Sequence, residues 1–214
     1  MNIYFISGLG ADKRIFQKLV LPDYYQFIYL DWLPVMPSDT LESYAFRMAQ
    51  LIDTSVPFYV IGVSFGGMIA TEIAKKLKPL KTIIISSIGL SAGLPWYWRF
   101  FGKLSLDRFI PVTIFALPIA PTYWLFGAKD AATKLLLKQI LLDTDKVFMK
   151  WAIRAILTWD NQRIPTSVIH IHGTHDKILP IRFTTPDLIV MQGGHLMVYS
   201  HSNEVSHLVG LLLI

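Results

Sequence analysis

Residues 58–77 read Phe58-Tyr59-Val60-Ile61-Gly62-Val63-Ser64-Phe65-Gly66-Gly67-Met68-Ile69-Ala70-Thr71-Glu72-Ile73-Ala74-Lys75-Lys76-Leu77. The first six form a short apolar run of aromatic and β-branched residues around one glycine. That is the pattern of a strand buried on both faces of a parallel sheet. The last part reads as a helix. Ile69, Ile73 and Leu77 recur at i, i+4 and i+8 and give one apolar face, with Glu72, Lys75 and Lys76 largely outside it. Between strand and helix, Gly62-Val63-Ser64-Phe65-Gly66 matches G-x-S-x-G. A serine hydroxyl is a weak nucleophile and must be lifted clear of the sheet, to where a base can take its proton. Gly62 and Gly66 have no Cβ to collide across such a corner, and the helix that follows aims free N–H groups at charge developing beside Ser64. Ser64 is thus a candidate nucleophile and the Phe65 N–H a candidate oxyanion donor.

The chain has 214 residues, 53% of them hydrophobic, which suits one domain whose core needs no disulfide or metal staple. It has no cysteine, which removes disulfides, a thiolate nucleophile and cysteine metal sites. Met1-Asn2-Ile3-Tyr4-Phe5-Ile6 carries no basic leader and runs into a glycine turn, so a cytoplasmic protein is expected rather than a secreted one. The uncharged stretch 109–128 is long enough to cross a bilayer but is broken by Pro111, Pro118 and Pro121, and no transmembrane span is expected. Neither an internal repeat nor a linker stands out, and nothing suggests a nucleic-acid partner.

In chain order, 2–6 reads as a first strand, and Ser7-Gly8-Leu9-Gly10-Ala11 as a turn into a helix carrying Ile15, Phe16 and Leu19. A second strand is expected over 25–30. An Asp39-x-x-Glu42 capping box should then open a helix with Leu41, Ala45, Met48 and Ile52 inward. Residues 81–85 read as a fourth strand. The alternation stops over about 88–165, a stretch dense in aromatic residues and proline that reads as a cap inserted into a single domain spanning 1–214. There Trp96, Trp98, Phe100, Phe101, Phe109, Phe115, Tyr123, Trp124 and Phe126 suit an apolar pocket or ordinary core, with two helices near 131–142 and 145–159. Strands resume over 167–171 and 188–191, followed by a terminal helix from about Asn203. Alternating strands and helices imply an α/β fold, a six-stranded parallel sheet wrapped on both faces.

A nucleophilic serine needs a base and an orienting acid, and in a parallel sheet these come from loops at the C-terminal strand ends. Asp176 follows one strand. His195 follows the last, in Gly193-Gly194-His195. The order Ser, Asp, His, together with Gly62-Val63-Ser64-Phe65-Gly66-Gly67 and His172-Gly173-Thr174-His175-Asp176-Lys177-Ile178-Leu179-Pro180, resembles the α/β-hydrolase fold superfamily, serine esterase type. The resemblance implies that Ser64 attacks, that His195 acts as general base and then acid, and that Asp176 holds the imidazole. It also implies that Leu9 is the second oxyanion donor, beside Phe65. Many relatives carry His-Gly-x-Gly there; Ser7 keeps the backbone donor but removes a side chain that often braces the loop. Some relatives take their acid from the loop after the fourth strand; this chain has Ser86-Ser87 there, which favours Asp176. The expected activity is hydrolysis of a carboxylic ester with an apolar acyl part through an acyl-enzyme, with no cofactor and no metal. Lactonase, thioesterase, perhydrolase and C–C hydrolase chemistry stay open on the same residues, as does a ligand-binding protein without turnover.

Two further patterns compete for a role. His170-x-His172-x-x-His175 is similar to the histidine cluster of metallo-hydrolases of the β-lactamase superfamily, but Thr174 stands where that motif needs an Asp, and structural histidines are expected. The formal charge of +5 arises wholly within 88–165, where Lys146, Lys150 and Arg154 form a basic stripe opposite Phe148, Ala152 and Ile156. The stripe reads either as solvated surface or as a dock for an acidic acyl carrier protein. The latter would make the chain similar to the carboxylesterases that act on pimeloyl methyl ester on its carrier.

Overall fold

The computed structural model describes residues 1–105 and 117–213. Its centre is a sheet of six parallel strands: β1 (Asn2–Ile6), β2 (Gln26–Leu30), β3 (Phe58–Val63), β4 (Thr82–Ile85), β5 (Val168–Gly173) and β6 (Leu188–Val190), in the order β2-β1-β3-β4-β5-β6. β1 pairs with β2 on one side and with β3 on the other, Asn2 opposite both Gln26 and Phe58. The strand order therefore reverses at β1 and β3, and the crevice beyond their C-terminal ends is where such sheets bind ligands. The Ser7–Ala11 turn leaves one of these strands and Ser64 the other.

The period of two along each strand divides the core. Tyr4, Ile6 and Val60 face one cluster, with Tyr44, Met48, Phe65 and Ile69; Ile3, Phe5, Tyr59 and Ile61 face the other, with Val205 and Val209. Every residue of β3 is buried. α1 (Leu41–Ala49) and α2 (Phe65–Lys76) belong to the first cluster, and α8 (Ser202–Leu212), after the short α7 (Met197–Ser200), to the second.

Several details differ from the sequence expectation. The first crossover is a single 3-10 turn, Lys13–Phe16, capped by Asp12; it buries Ile15 and Phe16 without a full helix. The capping box of α1 is Thr40-x-x-Ser43, one residue later than expected. The Thr40 hydroxyl accepts from the Ser43 N–H while Ser43 Oγ accepts from the Thr40 N–H. Asp39 serves instead as partner to the Met36 N–H and Arg47. Glu72, expected outside the apolar face of α2, is buried, because Lys75 Nζ lies 2.7 Å away and Trp159 Nε1 donates to it at 2.8 Å.

After β4 come α3 (Trp96–Lys103), α4 (Ala120–Phe126), α5 (Ala131–Asp143) and α6 (Lys146–Thr158). The two helices expected here are α5 and α6. α6 is no detached appendage: Phe148, Ala152, Ala155 and Trp159 join the cluster that contains Tyr44, Phe65 and Met68. Among the described residues no helix is long and apolar enough to cross a membrane. Of the aromatic residues expected in a pocket, Phe109 and Phe115 lie outside the described residues, as does much of the apolar 109–128 stretch.

Candidate active site

Ser64 sits at the turn from β3 into α2 with φ 53° and ψ −121°, a left-handed conformation that costs a non-glycine residue free energy and has to be held by its surroundings. Hydrogen bonds to β4 and the loop after it help to hold it. Its N–H donates to Ile85 O at 2.9 Å, and its carbonyl accepts from Ser87 Oγ at 2.6 Å. The flanking glycines are sterically required. A Cβ on Gly62 would lie 2.3 Å from Gly66 O, and one on Gly66 would lie 2.2 Å from Ser7 O.

The three residues singled out in the sequence come together here. His195 Nδ1 is 2.8 Å from Asp176 Oδ2, and His195 Nε2 is 2.8 Å from Ser64 Oγ. A carboxylate only accepts, so the Nδ1–H donates to Asp176 and the bare Nε2 accepts from the serine hydroxyl. That is the tautomer a general base needs. Asp176 is buried, and its other oxygen, Oδ1, accepts the N–H groups of Ile178 at 2.9 Å and Leu179 at 2.8 Å. Burial pushes this carboxyl up, but His195, His172 and the Leu179 N–H together pull it below its ordinary value, so it stays ionised.

Beside Ser64 lies the Ser7–Ala11 turn; a Cβ on Gly8 would be 3.5 Å from Ser64 Cβ. Ser7 lacks the side chain that often braces this loop in relatives, but its own hydroxyl bonds within the turn. Ser7 Oγ donates to Ala11 O at 2.6 Å, and Trp32 Nε1 donates to the same carbonyl at 2.9 Å. The Thr144 side chain packs on the same turn: its hydroxyl donates to Ile140 O at 2.6 Å, and a Cβ on Gly10 would lie 2.4 Å from its Cγ2. Among the described residues no acceptor takes the N–H of Leu9 or of Phe65, the two expected oxyanion donors. The Phe65 N–H heads α2, where the helix dipole adds positive potential. The sequence reading missed Trp32, Ser87 and Thr144. Trp32 and Thr144 act from across the chain, and no local pattern marks them.

The 88–165 stretch supplies walls. Phe126 meets the His195 ring edge-on at 5.6 Å, and Phe148 packs against Trp32 at 5.0 Å and Phe65 at 6.3 Å. Of the other aromatics expected in a pocket or the core, Trp96, Phe100 and Trp124 are exposed, while Trp98, Phe101 and Tyr123 are half-buried. A cavity of about 370 Å³ opens beside Gly194; Lys129, His175, Lys177 and His201 are among its lining residues, and Ser64 is not.

The histidine cluster is a hydrogen-bonded stack. His172 Nε2 lies 2.7 Å from Leu179 O, a pure acceptor, so Nε2 carries the proton; it is also 3.5 Å from Asp176 Oδ2. His172 Nδ1 then accepts from His170 Nε2 at 2.9 Å. Burial lowers both histidines, His170 to about 3, and keeps them neutral. His175 is exposed and stands apart, and no group of residues able to hold a metal occurs among the described residues. In the basic stripe, Lys146 and Lys150 are exposed, whereas Arg154 is half-buried and reaches Ser105 Oγ at 3.4 Å.

The sequence matches the model of the Alpha/beta hydrolase family over residues 3–208, and the chain belongs to that family. No curated protein matches it. Solved structures similar to it include a thermophilic esterase from Thermogutta terrifontis (malate bound), with TM-score 0.73 and 17% identity over 100% of this chain and 89% of the other. A lipase-esterase related protein from Clostridium acetobutylicum ATCC 824 gives TM-score 0.66 and 18% identity over 99% of this chain and 93% of the other. A bromoperoxidase from Bacillus anthracis gives TM-score 0.67 and 14% identity over 99% and 91%. At such identities these likenesses establish the fold. None of them points to an acyl carrier protein.

Proposed function

We propose that this protein is a serine hydrolase that cleaves carboxylic esters through an acyl-enzyme. One observation carries the reading: an unbroken hydrogen-bonded line from Ser64 Oγ through His195 to a buried, ionised Asp176, both links at 2.8 Å. In the first half-reaction Ser64 Oγ attacks the ester carbonyl carbon as His195 Nε2 takes its proton. The carbonyl oxygen becomes an oxyanion received by the N–H groups of Leu9 and Phe65. The C–O bond to the alcohol then breaks, and His195 returns the proton to the departing oxygen. Water repeats the sequence on the acyl-enzyme, releasing the acid and restoring Ser64. Asp176 holds the imidazole tautomer and stabilises its protonated form.

In the same reading the chain is one domain, and the residues at about 88–165 form the cap over Ser64; Phe126 against His195 and Thr144 on Gly10 support this. The esterase and lipase-esterase names among the similar structures support an ester as the substrate class. Nothing in the mechanism requires a carrier protein. The test is turnover of short and medium-chain p-nitrophenyl esters. Ser64→Ala is expected to lower kcat by about 10⁶-fold while keeping the circular dichroism spectrum. Turnover retained in that variant removes Ser64 from the mechanism.

A further inference from the structure

α3 is fixed to the body by one face, and its other face is exposed among the described residues. Gly102 packs so close to α6 that a Cβ there would lie 2.9 Å from Leu157 Cβ, and Trp98 packs against the main core. The outward face carries Trp96, Phe100 and Leu104, which are 62%, 58% and 52% exposed. Their spacing of i, i+4 and i+8 stacks them in one stripe. Exposed Arg99 and Lys103 sit between them, and no acidic residue occurs anywhere from Ile73 to Leu106. Single exposed apolar residues are ordinary on a protein surface; an aligned tryptophan, phenylalanine and leucine interleaved with two cations is not. The uncharged α4 carries the same combination on a smaller scale, with Trp124 61% exposed and the Lys177 ammonium 3.8 Å from its ring centroid.

We propose that the outward face of α3 docks this protein on an anionic lipid surface, the Trp96, Phe100 and Leu104 side chains entering the headgroup region and Arg99 and Lys103 pairing with lipid phosphates. Aromatic rings with a polar edge, aliphatic side chains and snorkelling cations on one short helix face are the chemistry of an interfacial helix. The charge distribution selects the occupant. The whole formal charge of +5 comes from residues 88–165, so an anionic membrane attracts this region, while a second copy of the chain would present the same positive field to it. At eight residues α3 lies on the surface and cannot span it. The inference is independent of the role of Ser64.

The absence of cysteine allows a clean test, because Phe100→Cys introduces a single thiol. Coupled to a nitrobenzoxadiazole maleimide, that thiol should label readily in lipid-free protein. Its fluorescence should then rise and shift to the blue with vesicles of phosphatidylcholine and phosphatidylglycerol, but not with phosphatidylcholine alone. Unlabelled protein should co-sediment with the anionic vesicles. Partitioning should weaken about tenfold or more in Trp96→Ser/Phe100→Ser and in Arg99→Glu/Lys103→Glu, with melting temperature unchanged. No vesicle binding by the wild type, or equal binding by both double variants, overturns the proposal. So does a thiol that resists labelling in folded protein, which would mean that the face is covered within the chain. A dimer by light scattering that Trp96→Ser/Phe100→Ser dissolves assigns the face to a second copy and also overturns it.

Discussion

At Asp176 almost every nearby polar group is a donor. The carboxylate receives the His195 Nδ1–H and the backbone N–H groups of Ile178 and Leu179, while His172 Nε2 stands 3.5 Å from it. These donors outweigh the burial that would otherwise neutralise it. The consequence for chemistry lies at His195, whose bare Nε2 faces Ser64 only while Nδ1 keeps its proton. In Asp176→Asn the amide can present its NH₂ to Nδ1 and stabilise the opposite tautomer, so kcat should fall by about 10⁴ with the fold intact. Steady-state kinetics with a p-nitrophenyl ester beside a thermal melt checks this; a loss of less than tenfold would mean that Asp176 does not orient His195. Ser64, Asp176 and His195 were legible in the sequence because each sits in a short glycine-rich motif at a strand end. Their supports were not. Ser87 and Ser7 look like ordinary loop serines, and Trp32 acts through one side-chain bond to Ala11 O that no spacing rule anticipates.

The elements that read most clearly are the buried strands, where an apolar run leaves little choice of register: β1 and β3 fall where the sequence places them. Caps and short crossovers read less well, since Asp39 and Thr40 both suit an N-cap and only geometry decides between them. Glu72 looked solvent-facing on helical spacing alone, and its buried partner Trp159 caps the end of α6, far along the chain. The junction of β1, β3 and α2 is the tightest part of the frame. In Gly66→Ala the new methyl would meet backbone oxygens of both Ser7 and Ile6, at 2.2 and 2.4 Å, and neither can move without disturbing β1 or the loop that follows. We expect a loss of about 1–3 kcal/mol in urea unfolding, with reduced ester turnover as the Ser7–Ala11 turn shifts from Ser64. Unchanged stability would show that α2 and β1 are less closely packed than these distances require.

For the whole molecule, pH dependence follows from the two histidines behind the acid. Burial lowers His170 from its ordinary 6.5 to about 3, and lowers His172 in the same direction. Between those values the unfolded chain binds a proton that the folded His170 refuses, so this contribution to stability is full above about pH 6.5 and falls as the pH drops toward 3, by up to about 1.4 kcal/mol per pH unit, with His172 acting in the same direction. The lowered carboxyl of Asp176 adds a further loss below its ordinary 3.8. Urea midpoints measured at pH 7.5 and pH 5 should show this, with a shallower dependence in His170→Phe. Equal midpoints at both pH values would mean that the histidines are not buried as a neutral pair. The central claim is that Ser64 is a nucleophile activated by His195, and covalent labelling measures it most directly. Folded protein treated with a fluorophosphonate should gain one adduct, mapped by peptide mass spectrometry to Ser64, and His195→Ala should label far more slowly. An adduct at another residue, or none in folded protein, would contradict the account.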